Sequence, residues 1–290
     1  MASFQGTKMN PSRFHISQLK FYLILAPLSV FMVMPIIFIF SHSLKPMDEL
    51  FAFPPRFFVQ NPTMDNFRFL LSTFTVSGIP VSRYIFNSVV ITVVTVFATI
   101  YISAAAGYAF SKKNFKLKNT LFSINTLALM FVPVAVSIPR YFLVVKLGLI
   151  NDFSVNILPL LAMPVGLFLL KQFIDQIPNE LIEAAQIDGA NDFTIFRKII
   201  IPMTMPAIAT IAILAFQLSW NSIEPATLYV NDEELKNFAY YMSTFTATNN
   251  EVAGQGISAA AALIMFIPNL LIFIFMQSRV MNTMAHSGLK

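Results

Sequence analysis

No cysteine occurs in the 290 residues, and only 11% of them are charged. Without cysteine the chain has no disulfide framework, no thiolate metal site and no cysteine nucleophile. With so few charges it cannot build a surface that solvates 31 Phe and 15 Met, which excludes a soluble globular fold and a disordered chain alike. Basic clusters are scarce as well. The densest, Lys112-Lys113-Asn114-Phe115-Lys116-Leu117-Lys118, holds four lysines and lies between apolar stretches. The net charge of +5 therefore reads as a topology signal, and no nucleic-acid partner is expected. The three histidines, His15, His42 and His286, are far apart and lack ligand-like spacing, so no metal site is expected. No motif pairs a Ser or Thr with a base, and no catalytic residue is assigned.

What the chain does have is apolar length: 56% of residues are hydrophobic and the mean hydropathy is +0.69. A hydrocarbon core about 30 Å thick takes roughly 20 apolar residues as helix. Runs free of Asp, Glu, Lys and Arg occur at 21–44, 84–111, 119–139, 153–170, 199–223 and 252–278. They predict an all-α membrane protein with six transmembrane helices, the fourth being the shortest. The first run follows Lys8, Arg13 and Lys20 as a signal peptide would, but it is too long and lacks a small-residue cleavage site, so it reads as a retained span. The expected organisation is an N-terminal segment over 1–20, a six-span domain over 21–278 and a C-terminal tail over 279–290.

An even number of spans puts both termini on one side. The N-terminal segment, the second-to-third connection, the fourth-to-fifth connection and the C-terminus carry twelve of the basic residues, against seven in the other three connections. That asymmetry predicts cytoplasmic termini. The opposite face holds those seven and nine acids, among them Asp232, Glu233 and Glu234. Prolines crowd the runs at Pro27, Pro35, Pro133, Pro139, Pro159, Pro164, Pro202, Pro206 and Pro268. They predict kinked helices that line a cavity or move, although proline is also simply commoner in membrane helices. Between the first two spans, the long connection 41–83 carries turn signals at Phe53-Pro54-Pro55, Asn61-Pro62 and Gly78-Ile79-Pro80, and a short helix is expected over 67–71.

The connection after the fourth span, 177–198, has the clearest local grammar. Pro178-Asn179 opens a helix, Glu180 to Gln186 favour it, Gly189 suits the left-handed position that ends it, and Asn191-Asp192 starts another. Two short helices joined at a glycine make an elbow, the second running through Phe193, Ile195 and Phe196 to Arg197-Lys198. Small Ala184 and Ala185 beside Glu183 would let a partner approach the backbone, and Phe193 and Phe196 would anchor it. An ordinary connection with alanine as helix filler has the same composition.

The spacing goes further. Glu183-Ala184-Ala185, then Gly189, then Ile199-x-Ile201-Pro202 resembles the EAA loop in the membrane subunits of binding-protein-dependent ABC importers, with Ile201 where leucine is usual. Ala184 to Ala190 is similar to the carbohydrate permeases of the maltose-transporter type. Agreement continues at Asn87-Ser88, at Tyr108-Ala109-Phe110 after Gly107, where alanine is commoner, at Pro139-Arg140-Tyr141 before Leu147-Gly148-Leu149, and at Phe216 with Trp220-Asn221. The tail from Met284 to Lys290 resembles that of the smaller maltose-type subunit, and the resemblance covers the chain from about Tyr84 onward.

That resemblance implies one half of a pore in a bacterial inner membrane, paired with a second, homologous permease subunit, two copies of a cytoplasmic ATPase and an extracellular or periplasmic sugar-binding protein. The solute would be an oligosaccharide or sugar derivative, neutral or acidic. It implies that Glu183, Ala184, Ala185, Asp188, Gly189, Phe193 and Phe196 couple the chain to the ATPase. ATP and Mg would sit in that partner, with no cofactor in this chain; in agreement, the sequence has no G-x-x-x-x-G-K-[ST] loop. Polar residues within spans are candidates for the pathway by default: Asn125, Gln217, Trp220, Asn221 and Glu224, with Asn87 and Asn269. An indole stacks on a sugar's apolar face and an amide matches hydroxyls, yet the same residues also serve as hydrogen-bonding links between helices. A stand-alone secondary transporter or channel is the competing reading. It would want ion-coordinating charge at mid-span, where these runs have none. An intramembrane enzyme would want paired Asp, His or a Ser/Lys arrangement in the spans, and none is present.

Overall fold

The computed structural model describes residues 19–72, 78–248 and 252–287. Lys8, Arg13, His15, Lys290 and most of the 1–20 segment lie outside them. The described residues form helices joined by turns, with no strand among them. In chain order the α-helices are α1 (Leu19–Ser43), α2 (Met47–Leu50), α3 (Asp65–Ser72), α4 (Val81–Lys112), α5 (Lys118–Ala128), α6 (Ser137–Lys146), α7 (Leu158–Leu161), α8 (Pro164–Asp175), α9 (Asn179–Ile187), α10 (Asp192–Ile195), α11 (Ile201–Met203), α12 (Met205–Trp220), α13 (Glu224–Leu228), α14 (Phe238–Thr248) and α15 (Val252–Ser287).

Among the described residues four stretches are long and apolar enough to cross a membrane: Leu19–Ser43, Val81–Lys112, Met205–Leu228, which joins α12 to α13, and Gly254–Gln277. The third and fourth runs of the sequence are broken instead. Lys118–Ala128 and Pro133–Lys146 meet at a bend of 113°, and Phe153–Leu161 and Pro164–Asp175 at 42°. The eleven residues of α5 rise only about 16 Å, half of what a bilayer core requires. Prolines explain where the breaks fall, because the residue before a proline is driven from helical into extended backbone. Pro133 and Pro164 each begin a new helical turn, after Val132 (ψ 134) and Met163 (ψ 85). Pro27, Pro35 and Pro268, by contrast, lie inside continuous helices.

The residues fall into two compact units. One comprises the chain to Leu70 together with 249–263. Its helix α1 exposes apolar side chains along most of its length, as a lipid-facing helix does. Past α1 the backbone is held by side chains. Lys45 is buried, its ammonium donating to the Arg56 carbonyl and lying 3.1 Å from His42 Nε2. The Glu49 carboxylate accepts from the amides of Gln60 (3.0 Å) and Asn61 (2.7 Å), and the Asn66 amide donates to the carbonyls of Ser43 and Lys45. The Gln60 amide above all, with the Asn61 amide, holds the Glu49 carboxyl below its ordinary range. The short helix expected over 67–71 is the body of α3.

The second unit, 71–248 with 264–290, is built around α4, α8 and α12. Their shared core contains Ala104, Tyr108, Leu170, Ile174, Ala207 and Ile211. The helices approach closely because small residues line the crossing. A Cβ on Gly107 would come within 3.2 Å of the Leu170 Cβ, and one on Gly166 within 2.9 Å of the Ser103 hydroxyl. Ser103 and Gly107 are four apart on α4, the small-xxx-small spacing that substitutes close packing for hydrophobic drive in a membrane.

Candidate functional site

The elbow is two helices meeting at a glycine. Helix α9 ends where Asp188 leaves helical geometry, Gly189 adopts φ +83°, and the Asn191 side chain caps α10 by accepting from the Thr194 amide at 2.8 Å. The second helix differs from a plain α-helix: after α10 the chain widens into a π-turn over Phe196–Ile200 before α11. Pro202 accounts for the adjustment, since its nitrogen cannot donate to the turn behind it. One face of the elbow is sealed against the α4–α8–α12 core by Ile177, Ile182, Ile195 and Ile200, with Ala185, Ala190 and Phe196 packed beside them.

The coupling candidates therefore divide by face. Glu183, Ala184, Asp188, Gly189 and Phe193 are exposed, Phe193 by 63%. Ala185 and Phe196 turn inward, the Phe196 ring lying 5.9 Å from Tyr108 and 6.4 Å from Tyr101. Phe196, partly buried, thus seats the elbow on α4. Sequence reasoning missed Ile187, which is 86% exposed at the end of α9, and Leu181, which is also exposed. The signal was available. Ile182 and Ala185 mark the buried stripe at helical spacing, and an isoleucine off that stripe at a helix end has to face out.

Polar side chains tie the elbow to the end of α4. Lys112 Nζ donates to the Ile177 carbonyl (2.6 Å) and Asn179 Oδ1 (2.8 Å), and Lys113 Nζ pairs with Asp192 Oδ1 at 2.6 Å. Hydrogen bonding to Asp192 holds the Lys113 ammonium above the ordinary lysine range. Glu183 and Gln186 line a small polar cleft with Ser111, Lys112, Asn114 and Asn179.

The pathway candidates come to rest in separate places. The Asn221 side chain donates to the backbone carbonyl of Gln217 at 2.9 Å, and Asn269 Nδ2 lies 3.4 Å from Asn221 Oδ1. Trp220 is only 4% exposed, stacked on Phe216 with its indole N–H on the Met265 carbonyl at 3.1 Å. In this conformation it offers no open face to a sugar. Asn125 donates to the Pro164 carbonyl at 3.1 Å, bridging α5 to the start of α8. Glu224 pairs with Arg140 at 3.1 Å and has the Tyr229 hydroxyl 3.5 Å away. Burial, followed by that carboxylate, pushes the Tyr229 hydroxyl above its ordinary range.

Asn87 is 1% exposed and holds a loop. Its Nδ2 donates to the carbonyls of Glu234 (2.7 Å) and Lys236 (2.8 Å), while Ser88 Oγ accepts from the Phe238 amide at 2.8 Å. Glu233 joins in, accepting from Tyr84 at 2.7 Å and Lys236 at 2.6 Å. Burial works to lower the Lys236 pKa, but the bonds to Glu233 and Tyr240 outweigh it and raise it. Nothing local in the sequence announces these links, because they join residues roughly 150 positions apart.

Residues 99–278, well over half of the chain and including the whole elbow, match the family described as binding-protein-dependent transport system inner membrane component. The chain belongs to this family. Among relatives of this permease, the arabinooligosaccharides transport system permease protein AraQ of Bacillus subtilis is 28% identical over 281 residues, covering 96% of this chain and 98% of AraQ. The trehalose transport system permease protein SugB of Mycobacterium tuberculosis is 27% identical, covering 89% and 92%. Among solved structures, a chain of a bacterial ABC transporter involved in import of the acidic polysaccharide alginate superposes with a TM-score of 0.72 at 23% identity, covering 93% of this chain and 99% of that one. That likeness shows a shared all-helical fold.

Proposed function

We propose that the permease forms half of the translocation pathway of an ATP-driven importer for an oligosaccharide or sugar derivative, carried to it by a binding protein. The observation that carries this reading is the elbow: the segment with the family's signature folds as a pair of helices, docked by one face on the core, that leaves Glu183, Ala184, Ile187 and Phe193 exposed. Near full-length similarity to permeases named for arabinooligosaccharide and trehalose transport supports the sugar class. In this reading the two bent pairs count as spans, giving six with both termini cytoplasmic, and segment 177–198 meets the ATPase. Two copies of that ATPase bind ATP and Mg, a second homologous permease completes the pore, and this chain hydrolyses nothing. Gln217, Asn221 and Glu224 line the pathway, Asn125 braces it, and Trp220 walls it from behind.

Purification in mild detergent with its native neighbours tests the proposal. We expect an ATPase and a second multi-span permease to co-purify, and the ATPase activity to rise with a sugar-loaded binding protein. A homo-oligomer free of ATPase would overturn it in favour of a self-contained transporter.

A further inference from the structure

We propose that Lys112 and Lys113 are the positioning residues that deliver movement of the elbow to helix α4. The inference rests on the elbow docking the ATPase, and it concerns how force leaves the elbow. Gly189, at φ +83°, divides the elbow into two helices, and both rest on the core through apolar contacts, Ile182 on the first and Ile195 and Phe196 on the second. Apolar contact is non-directional, so something with a fixed direction must make both halves move with the membrane helix. Two consecutive residues at the end of α4 do so, one for each half. Lys112 holds the start of α9 through the Ile177 carbonyl and Asn179 Oδ1, and Lys113 holds the start of α10 through Asp192.

The anchor itself is braced. Lys118 Nζ donates to the carbonyls of Ser111 (3.3 Å) and Lys113 (3.1 Å), closing the open end of α4. Asp175, at the end of α8, accepts from the Ser111 hydroxyl and from Lys171 at 2.6 Å. Partly exposed pairs such as Lys113–Asp192 add little to stability. Their fixed geometry is therefore the better reason for them than folding. Three of the four lysines that read as a topology signal have defined partners here, and Lys116, exposed, serves as the control.

The test uses the complex purified with its partners in liposomes, and exploits the absence of cysteine by placing single cysteines at Ile187 on the elbow and Val89 on α4. Thiol reactivity is measured with and without ATP and magnesium. In the parent, both positions should respond. With Lys112→Ala and Lys113→Ala together, the response at Ile187 should persist while that at Val89 falls on the order of tenfold, as for a lost coupling of typical size. Lys116→Ala should change neither. Lys113→Asp should reproduce the loss, and adding Asp192→Lys should restore the response. A Val89 response that survives the double alanine variant, never occurs in the parent, or is not restored by the charge exchange overturns the proposal. If no ATPase co-purifies, or Ile187 does not respond in the parent, the docking reading itself has failed.

Discussion

Gly189 shows how a single position can carry a functional demand without touching anything. A Cβ there meets no atom within 4 Å, so a side chain would be refused only by the backbone angle of +83°. Left-handed backbone costs an ordinary residue about 1–2 kcal/mol, and asparagine least among them. Gly189→Val should therefore leave the complex assembled but lower solute transported per ATP hydrolysed, with Gly189→Asn close to the parent; equal coupling in Gly189→Val and the parent would refute this. Glu49 makes a demand of the opposite kind, fixed by partners. Its carboxyl is held below the ordinary value of 4.5, so its contribution to stability is present above that pH and fades as pH falls through the lowered value. Glu49→Gln should accordingly lower the unfolding temperature at neutral pH, with the gap closing in acid. A gap that widens in acid would be the wrong sign. Gly189 was legible in the sequence from its place after a helix-forming run, whereas the partners of Glu49 lie 11 and 12 residues on and were not.

At the scale of elements, the crossing of α4 and α8 decides how the second unit packs. A Cβ on Gly107 would sit 3.2 Å from the Leu170 Cβ and 3.3 Å from both the Ile174 Cδ1 and the Lys171 backbone nitrogen. Backbone cannot rotate away as a side-chain tip can, so Gly107→Leu must push the helices apart, at about 1–3 kcal/mol for overpacking. Heating the purified chain while following its one tryptophan, Trp220, should show a lower midpoint for Gly107→Leu and a smaller drop for Gly107→Ala. Hydropathy located both ends of α1 and α4 to within three residues, whereas the fifth run begins ahead of α12, across α11, and the sixth stops nine residues before α15 ends. In the third and fourth runs counting apolar residues is blind to direction: Pro133 and Pro164 leave each run apolar while the chain turns by 113° and 42°.

For the whole molecule, the charge asymmetry between connections makes a statement about sidedness. Lys116 and Glu234 are both exposed and belong to connections assigned to opposite sides. Because the chain lacks cysteine, Lys116→Cys and Glu234→Cys should each give a single labelling site. A membrane-impermeant thiol reagent added from outside should label only Glu234→Cys, and Lys116→Cys should react only in inverted vesicles. Labelling of both from one side would break the topology.

Composition, apolar length and the EAA spacing by themselves determined a membrane permease of an importer family with an elbow between its fourth and fifth apolar runs, because each of those signals is local or additive along the chain. Only the tertiary structure decided which elbow residues face out. It set Ile187 and Phe193 outside and Phe196 against α4, and it gave the Asn87 amide and the Trp220 indole partners on distant segments. Those outcomes depend on which distant segments meet, and a side chain's partners are fixed only once helices pack.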